Sequence, residues 1–197
     1  MFGTDSPIPE TIDQPRPAWD FRSQLRIWAR DLLLAFCFVV VIMVFLYQPV
    51  KVEGTSMAPL ISDQERVFIN KIVYRFESIS RCDVVVFWYP LDRTKSFIKR
   101  VVGLPGETVE VRQGVVYVDG RALDEPYLLP QYVDTSNFGP VRVPPDQFFV
   151  MGDHRDSSND SRVFGSVPAS YIYGKAVFAY WPMDHFGSLS VSAAPLK

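Results

Sequence analysis

One stretch limits what this 197-residue chain can fold into more than any other: Leu32 to Tyr47, LLLAFCFVVVIMVFLY, contains no charged residue. Continuing to Val50 adds only Gln48 and Pro49, giving nineteen residues, enough to just cross a hydrocarbon core. A helix packed against a protein core would show a polar face at 3.6-residue spacing, whereas this run is apolar all round, as a lipid-surrounded helix is. A cleavable leader would have a shorter apolar region followed by small residues. Here Tyr47-Gln48-Pro49-Val50 follows instead, with Tyr47 suited to the membrane interface. Arg22, Arg26 and Arg30 precede the run, so the positive-inside rule places the N-terminus in the cytoplasm and everything from Lys51 outside. Three regions follow: a tail over 1–21, with four prolines and no apolar periodicity, read as flexible and cytoplasmic; a transmembrane anchor over 22–50; and an extracytoplasmic domain over 51–197.

The outer region is expected to be mainly β. RVFINKIVYRF, DVVVFWY, SFIKRVV, TVEVRQGVVYVDG, QFFVMGD and GKAVFAYWP are short runs rich in β-branched and aromatic residues, separated by turn signals. The clearest hairpin joins TVEV to VVYV through Arg112-Gln113-Gly114, and Asp119-Gly120 marks the next reversal. Leu128 to Pro145 reads as a long loop, a length that is functional or mobile. The formal charge of −2 gives no footprint for nucleic acid. Only two histidines and two cysteines are present, without ligand spacing, so no structural zinc, metal or cofactor is called for. Cys37 lies in the apolar run and Cys82 in a polar stretch well beyond it, which argues against a disulfide.

Chemistry has few candidates. Ser56, in Gly54-Thr55-Ser56-Met57-Ala58-Pro59, stands a few residues past the membrane exit. A serine between Gly and Pro more often shapes a turn than attacks a substrate, and as a nucleophile it needs a base. His154 is flanked by Asp153 and Asp156, but side chains so close in sequence seldom form a triad; an ordinary loop histidine is the better reading. His185 has no stronger claim. A desolvated lysine is the other possible base. Lys99 lies in the predicted strand SFIKRVV, where alternation aims it to the side of Phe97 and Val101. On spacing alone, a surface lysine is the better reading, and Lys71 competes in the same way.

Three stretches resemble the type I signal peptidases: EGTSMAPLI (53–61) the nucleophile box, FIKRVVGLPGE (97–107) the lysine box, and GDHRDSSNDSRVFGSVP (152–168) the long signature. They come in the family's order behind an anchor, and the resemblance runs from the anchor to GKAVFAYWP. It implies a partly barrel-like β-domain, Ser56 as nucleophile, Lys99 as general base and Ser158 as the hydroxyl that orients the lysine amine. Asp153, Arg155, Asp160 and Arg162, with Gly54 and Arg100, are implied as structural residues around the site. Val52, Met57, Phe97 and Ile98 are expected to line shallow pockets for small side chains. This chain departs from the family at Gly54, where some members carry a serine that helps bind the oxyanion, at His154, where Asn is commoner, and at Cys82, where Gly is usual.

The implied activity is removal of signal peptides from exported pre-proteins, with the bilayer and the export machinery as surroundings. The implied place is the outer face of the cell membrane, or a thylakoid membrane in a photosynthetic cell. Two readings from other classes stand beside it. A self-cleaving Ser/Lys regulator would need an Ala-Gly bond to cut and a DNA-binding helix pair, which the chain lacks. A catalytically silent, membrane-tethered binding domain would not need Ser56, Lys99 and Ser158 all intact.

Overall fold

In the computed structural model, residues 21–189 are described; the expected tail over 1–21 lies almost wholly outside them, as do the last residues from 190. The described chain opens with helix α1, Phe21–Leu46. Phe36, Phe38, Val39, Val40 and Val41 are all exposed, so apolar side chains stay accessible all round the helix. Among the described residues no helix is long and apolar enough to cross a membrane. The helix also stops earlier than the sequence suggested. Tyr47 to Val50, assigned above to the anchor, belong to strand β1, Tyr47–Lys51. Pro49 has no N–H for a helix interior, and an edge strand tolerates it.

The domain that follows is built of antiparallel strands in two sheets. In chain order they are β1, β2 (Arg66–Asn70), β3 (Val84–Tyr89), β4 (Asp92–Gly103), β5 (Thr108–Arg112), β6 (Val115–Val118), β7 (Arg121–Ala122), β8 (Phe138–Arg142), β9 (Gln147–Met151), β10 (Val167–Pro168), β11 (Ile172–Trp181) and β12 (Gly187–Ser188). The larger sheet runs β1-β2-β11-β3-β4-β9-β10, with β12 also paired to β11; the smaller runs β7-β6-β5-β8.

The unbroken apolar run of β3 is explained by burial on both faces. Val84 and Val86 pack with Val52, Met57, Ile61, Val67, Ile69 and Ala176. Val85 and Phe87 face the opposite way, to Val101, Phe148, Val150 and Ile172. A third cluster, with Val109, Val111, Val116 and Val118, joins the small sheet to Val102, Phe149 and Met151 of β4 and β9. Strand β4 is long because it serves both sheets' cores: Phe97 and Ile98 lie on the large sheet and Val102 on the small one.

The β5–β6 hairpin turns at Gln113 and Gly114, both at positive φ (48° and 81°), as a two-residue turn matched to strand twist requires. A side chain at Gly114 would meet the Asp134 carbonyl oxygen at 1.9 Å. The 128–145 stretch, read above as a loop, contains β8, which pairs with β5 at the edge of the small sheet. Its sequence FGPVR carries Gly and Pro and buries no residue, so it leaves no strand signal.

Candidate active site

Ser56 lies in a tight turn after β1, closed by a hydrogen bond from Ala58 N–H to the Thr55 carbonyl (2.9 Å). Gly54 at the turn's start has φ 96°, a left-handed conformation that favours glycine, and donates its N–H to Asp63 (2.7 Å). Lys99 reaches this turn from β4, where its neighbours pair with β3 through Val85↔Lys99 and Val86↔Ile98. Its Nζ is 2.6 Å from Ser56 Oγ and 3.0 Å from the Ile98 carbonyl oxygen. The amine also lies 5.4 Å from the centroid of the Phe97 ring. Lys71, the competing lysine, is exposed in the turn after β2.

Only 4% of Lys99 is exposed. Burial pushes its proton affinity down from the ordinary 10.5 to about 8, with the negative fields of Asp160 and Asp153 opposing the shift. An amine with this affinity is neutral often enough near neutral pH to take a proton from a hydroxyl 2.6 Å away.

The segment 152–162 wraps the pair. Asp153 forms a bidentate ion pair with Arg100 (2.8 and 2.6 Å), both fully buried, so the residue beside Lys99 is locked to the residue after Gly152. Arg100 also donates to the Cys82 carbonyl (3.0 Å). Cys82 has φ 70°, a left-handed conformation that favours glycine. Asp160 caps the short helix α2, Ser161–Phe164, and accepts from Gly152 N–H (3.1 Å) and Arg162 (2.9 Å). Arg162 pairs in turn with Asp134 (2.8 Å). Arg155 is buried and forked onto Glu125, which Tyr127 O–H also reaches at 2.6 Å; the Tyr127 ring lies under Arg100 (4.0 Å). Burial and the Glu125 charge hold the Tyr127 hydroxyl well above its usual range.

Glu125, Tyr127 and Asp134 escaped the sequence reading. They sit in a stretch without periodic pattern, and nothing local marks them as partners of residues some thirty positions on.

Ser158 is brought to the site but does not touch the amine. Its buried Oγ has no hydrogen-bond partner. It faces Gly152, where a Cβ would meet Ser158 Oγ at 2.3 Å and the Ser56 carbonyl oxygen at 2.4 Å, so only glycine fits between these two serines. His154 is close too: its N–H donates to the Ser56 carbonyl (3.1 Å) and its Nδ1 lies 3.1 Å from the Thr55 carbonyl oxygen.

A cavity of about 590 Å³ opens beside Ser56 and Lys99, lined among others by Val50, Val52, Val86, Phe97, Ile98 and Tyr173. Three of the four expected pocket residues are there. Met57 is not: at 1% exposure it is part of the core beneath, because the Thr55–Ala58 turn directs it inward against Val52 and Ile61. Among the described residues no group of His, Cys, Asp and Glu could hold a metal ion.

The β-domain thus sets a serine hydroxyl against a desolvated amine beside a cleft lined largely by apolar residues. Residues 25–181 match the family model described as "Signal peptidase, peptidase S26". The chain belongs to this peptidase family. It is 40% identical over 167 residues to "Probable signal peptidase I-1" of Synechocystis, covering 80% of this chain and 83% of that one. It is 36% identical to a "Signal peptidase I" of Bacillus amyloliquefaciens (83% and 91% covered) and 36% identical to one of Leptolyngbya laminosa (94% and 95% covered). A solved signal peptidase I from Enterococcus faecalis gives a TM-score of 0.44 at 32% identity, covering 50% of this chain and 97% of that one.

Proposed function

We propose that this peptidase is a membrane-anchored serine endopeptidase that removes signal peptides from exported pre-proteins, with Ser56 as nucleophile and Lys99 as general base. The observation that carries the mechanism is the 2.6 Å approach of a buried lysine amine to the Ser56 hydroxyl. Neutral Lys99 takes the Ser56 proton as Oγ bonds to the scissile carbonyl carbon. The tetrahedral oxyanion is held by the Ser56 N–H, which no group among the described residues uses. Lys99 then passes the proton to the departing amine, leaving an acyl-enzyme. Water, deprotonated by Lys99, releases the signal peptide and restores Ser56. Ser158 turns the amine toward the Ser56 hydroxyl once substrate excludes water, a role that suits a buried hydroxyl with no other partner.

The small residues before the cleaved bond are assigned to the part of the cleft beside Ser56, which Val52, Phe97 and Ile98 line. Asp153, Asp160, Arg155 and Arg162, with Arg100 and Gly54, hold the geometry and do no chemistry themselves.

For the anchor, the uncharged part of α1 from Leu32 to Leu46 rises about 22 Å at 1.5 Å per residue. That is short of a hydrocarbon core of about 30 Å. Arg30 and Asp31 pair at 2.8 Å, and their mutual neutralisation lets the membrane segment extend one turn further toward Ile27. Arg22 and Arg26 then mark the cytoplasmic side, and the β-domain faces outward, next to the machinery that delivers its substrates.

The test is cleavage of a pre-protein by the detergent-solubilised full chain. Ser56→Ala should lower the rate by about a million-fold. Lys99→Arg should be as inactive as Lys99→Ala, because a guanidinium cannot accept the serine proton. Substantial cleavage by either Ser56→Ala or Lys99→Arg would refute the mechanism.

A further inference from the structure

His154 has a backbone and a side-chain contact on the nucleophile turn, and together they hold both peptide planes that flank Ser56. Its N–H donates to the Ser56 carbonyl at 3.1 Å. Its Nδ1 lies 3.1 Å from the Thr55 carbonyl oxygen. A carbonyl only accepts, so Nδ1 carries the proton. The other ring nitrogen, Nε2, lies 3.0 Å from Asp156 Oδ1, and the ring stands edge-on to Tyr132, with centroids 4.6 Å apart.

The Thr55 carbonyl and the Ser56 N–H belong to one rigid peptide plane and point in opposite directions. Whatever fixes the carbonyl aims the N–H, and polarising the carbonyl strengthens the N–H as a donor. The Ala58 N–H also holds this carbonyl, at 2.9 Å, but it belongs to the same turn and moves with it. His154 ties the turn to an outside frame. That frame is continuous with the base, since the preceding residue, Asp153, is locked by two hydrogen bonds to Arg100, next to Lys99. Gly54 offers no side-chain donor for an oxyanion, so the direction of the Ser56 N–H carries more weight in this chain than where a serine stands there.

We infer that His154 is a positioning residue: through the Thr55 and Ser56 carbonyls it orients the Ser56 N–H toward the oxyanion and sets the nucleophile at its distance from Lys99. This inference rests on Ser56 being the nucleophile.

Substitutions can separate the hydrogen bond from mere packing, because reach is a matter of bond count. The amide nitrogen of Asn is as many bonds from Cα as Nδ1 of His, so His154→Asn keeps a donor at the Thr55 carbonyl. The amide nitrogen of Gln matches Nε2 instead and reaches toward Asp156. Asp offers an oxygen that repels the Thr55 carbonyl. With full-length enzyme in detergent and a peptide substrate, His154→Ala and His154→Gln should lower kcat by about ten- to a hundredfold with KM changed less than about threefold. His154→Asp should be at least as impaired, and His154→Asn should stay within about threefold of wild type. The inference is overturned by a wild-type kcat in His154→Ala, by equal losses in the Ala, Gln and Asn variants, or by an effect on KM alone. Ser56→Ala run alongside separates the two readings. If it is inactive while His154→Ala is unimpaired, only the positioning role fails; if it stays active, the nucleophile assignment itself has failed.

Discussion

Replacing Lys99 by Met keeps the buried stem and deletes the amine, and the structure gives the consequence an unusual sign. Burial lowers the lysine from 10.5 to about 8 in the folded protein. At neutral pH, keeping it protonated in that site costs about 3 kcal/mol relative to the unfolded chain. Because the folded value lies below the unfolded one, the unfolded state binds more protons between pH 8 and 10.5. Wild-type stability therefore rises with pH across that interval, and below it the full penalty remains. Met carries no such penalty but gives up the contacts to Ser56 Oγ and the Ile98 carbonyl, about 1 kcal/mol each. At pH 7 the variant should be more stable than wild type by roughly 1 kcal/mol, and at pH 10 less stable by roughly 1–2 kcal/mol. Urea titration of the detergent-solubilised chain, followed by tryptophan fluorescence at both pH values, measures the difference, and groups that titrate alike in both proteins cancel. A difference of the same sign and size at pH 7 and pH 10 would show that Lys99 is not desolvated as described.

Three further outcomes follow from the same site. Cleavage rate should rise about tenfold from pH 7 to pH 9 and then level off, as Lys99 passes through its value of about 8 and becomes neutral; a flat profile over this range would exclude it as the base. Gly152→Ala places a methyl 2.3 Å from Ser158 Oγ and 2.4 Å from the Ser56 carbonyl, so turnover should fall by at least about a hundredfold, and near-normal kcat would contradict this packing. Ser158→Ala removes a buried hydroxyl that has no partner, so the protein should be unchanged or about 1 kcal/mol more stable while kcat drops at least tenfold; a loss of stability without loss of kcat would assign Ser158 to the scaffold.

Much of the β-domain could be read directly. Strands β2, β3, β4, β5, β6, β9 and β11 each overlap a run of β-branched and aromatic residues, and the hairpin turn at Gln113-Gly114 falls where the sequence placed it. Strand β1 was absorbed into the apolar run because Tyr47 and Val50 suit a membrane segment as well as a strand. Strand β8 left no mark because an exposed edge strand needs no alternating apolar residues. In the site, Ser56, Lys99 and the charged residues of 152–162 stood out through motifs. Their partners Glu125, Tyr127 and Asp134 did not, since an ion pair between distant segments imposes no local pattern.

By itself the sequence determined that Leu32–Leu46 is an apolar stretch, that most of the strands after it are short runs of β-branched and aromatic residues, and that a serine and a lysine stand in the family's boxes. It could do so because side-chain periodicity and residue type are local properties. Tertiary structure decided the properties that make those residues chemically different from any other serine and lysine. Forty-three positions separate Ser56 from Lys99 along the chain, and the pairing of β4 with β3 and the turn after β1 bring them to 2.6 Å. The same packing withdraws the lysine from water, takes Met57 out of the cleft and puts His154 on the Ser56 turn. Distance and desolvation depend on which remote segments close over a residue, so neither exists until the sheets have assembled.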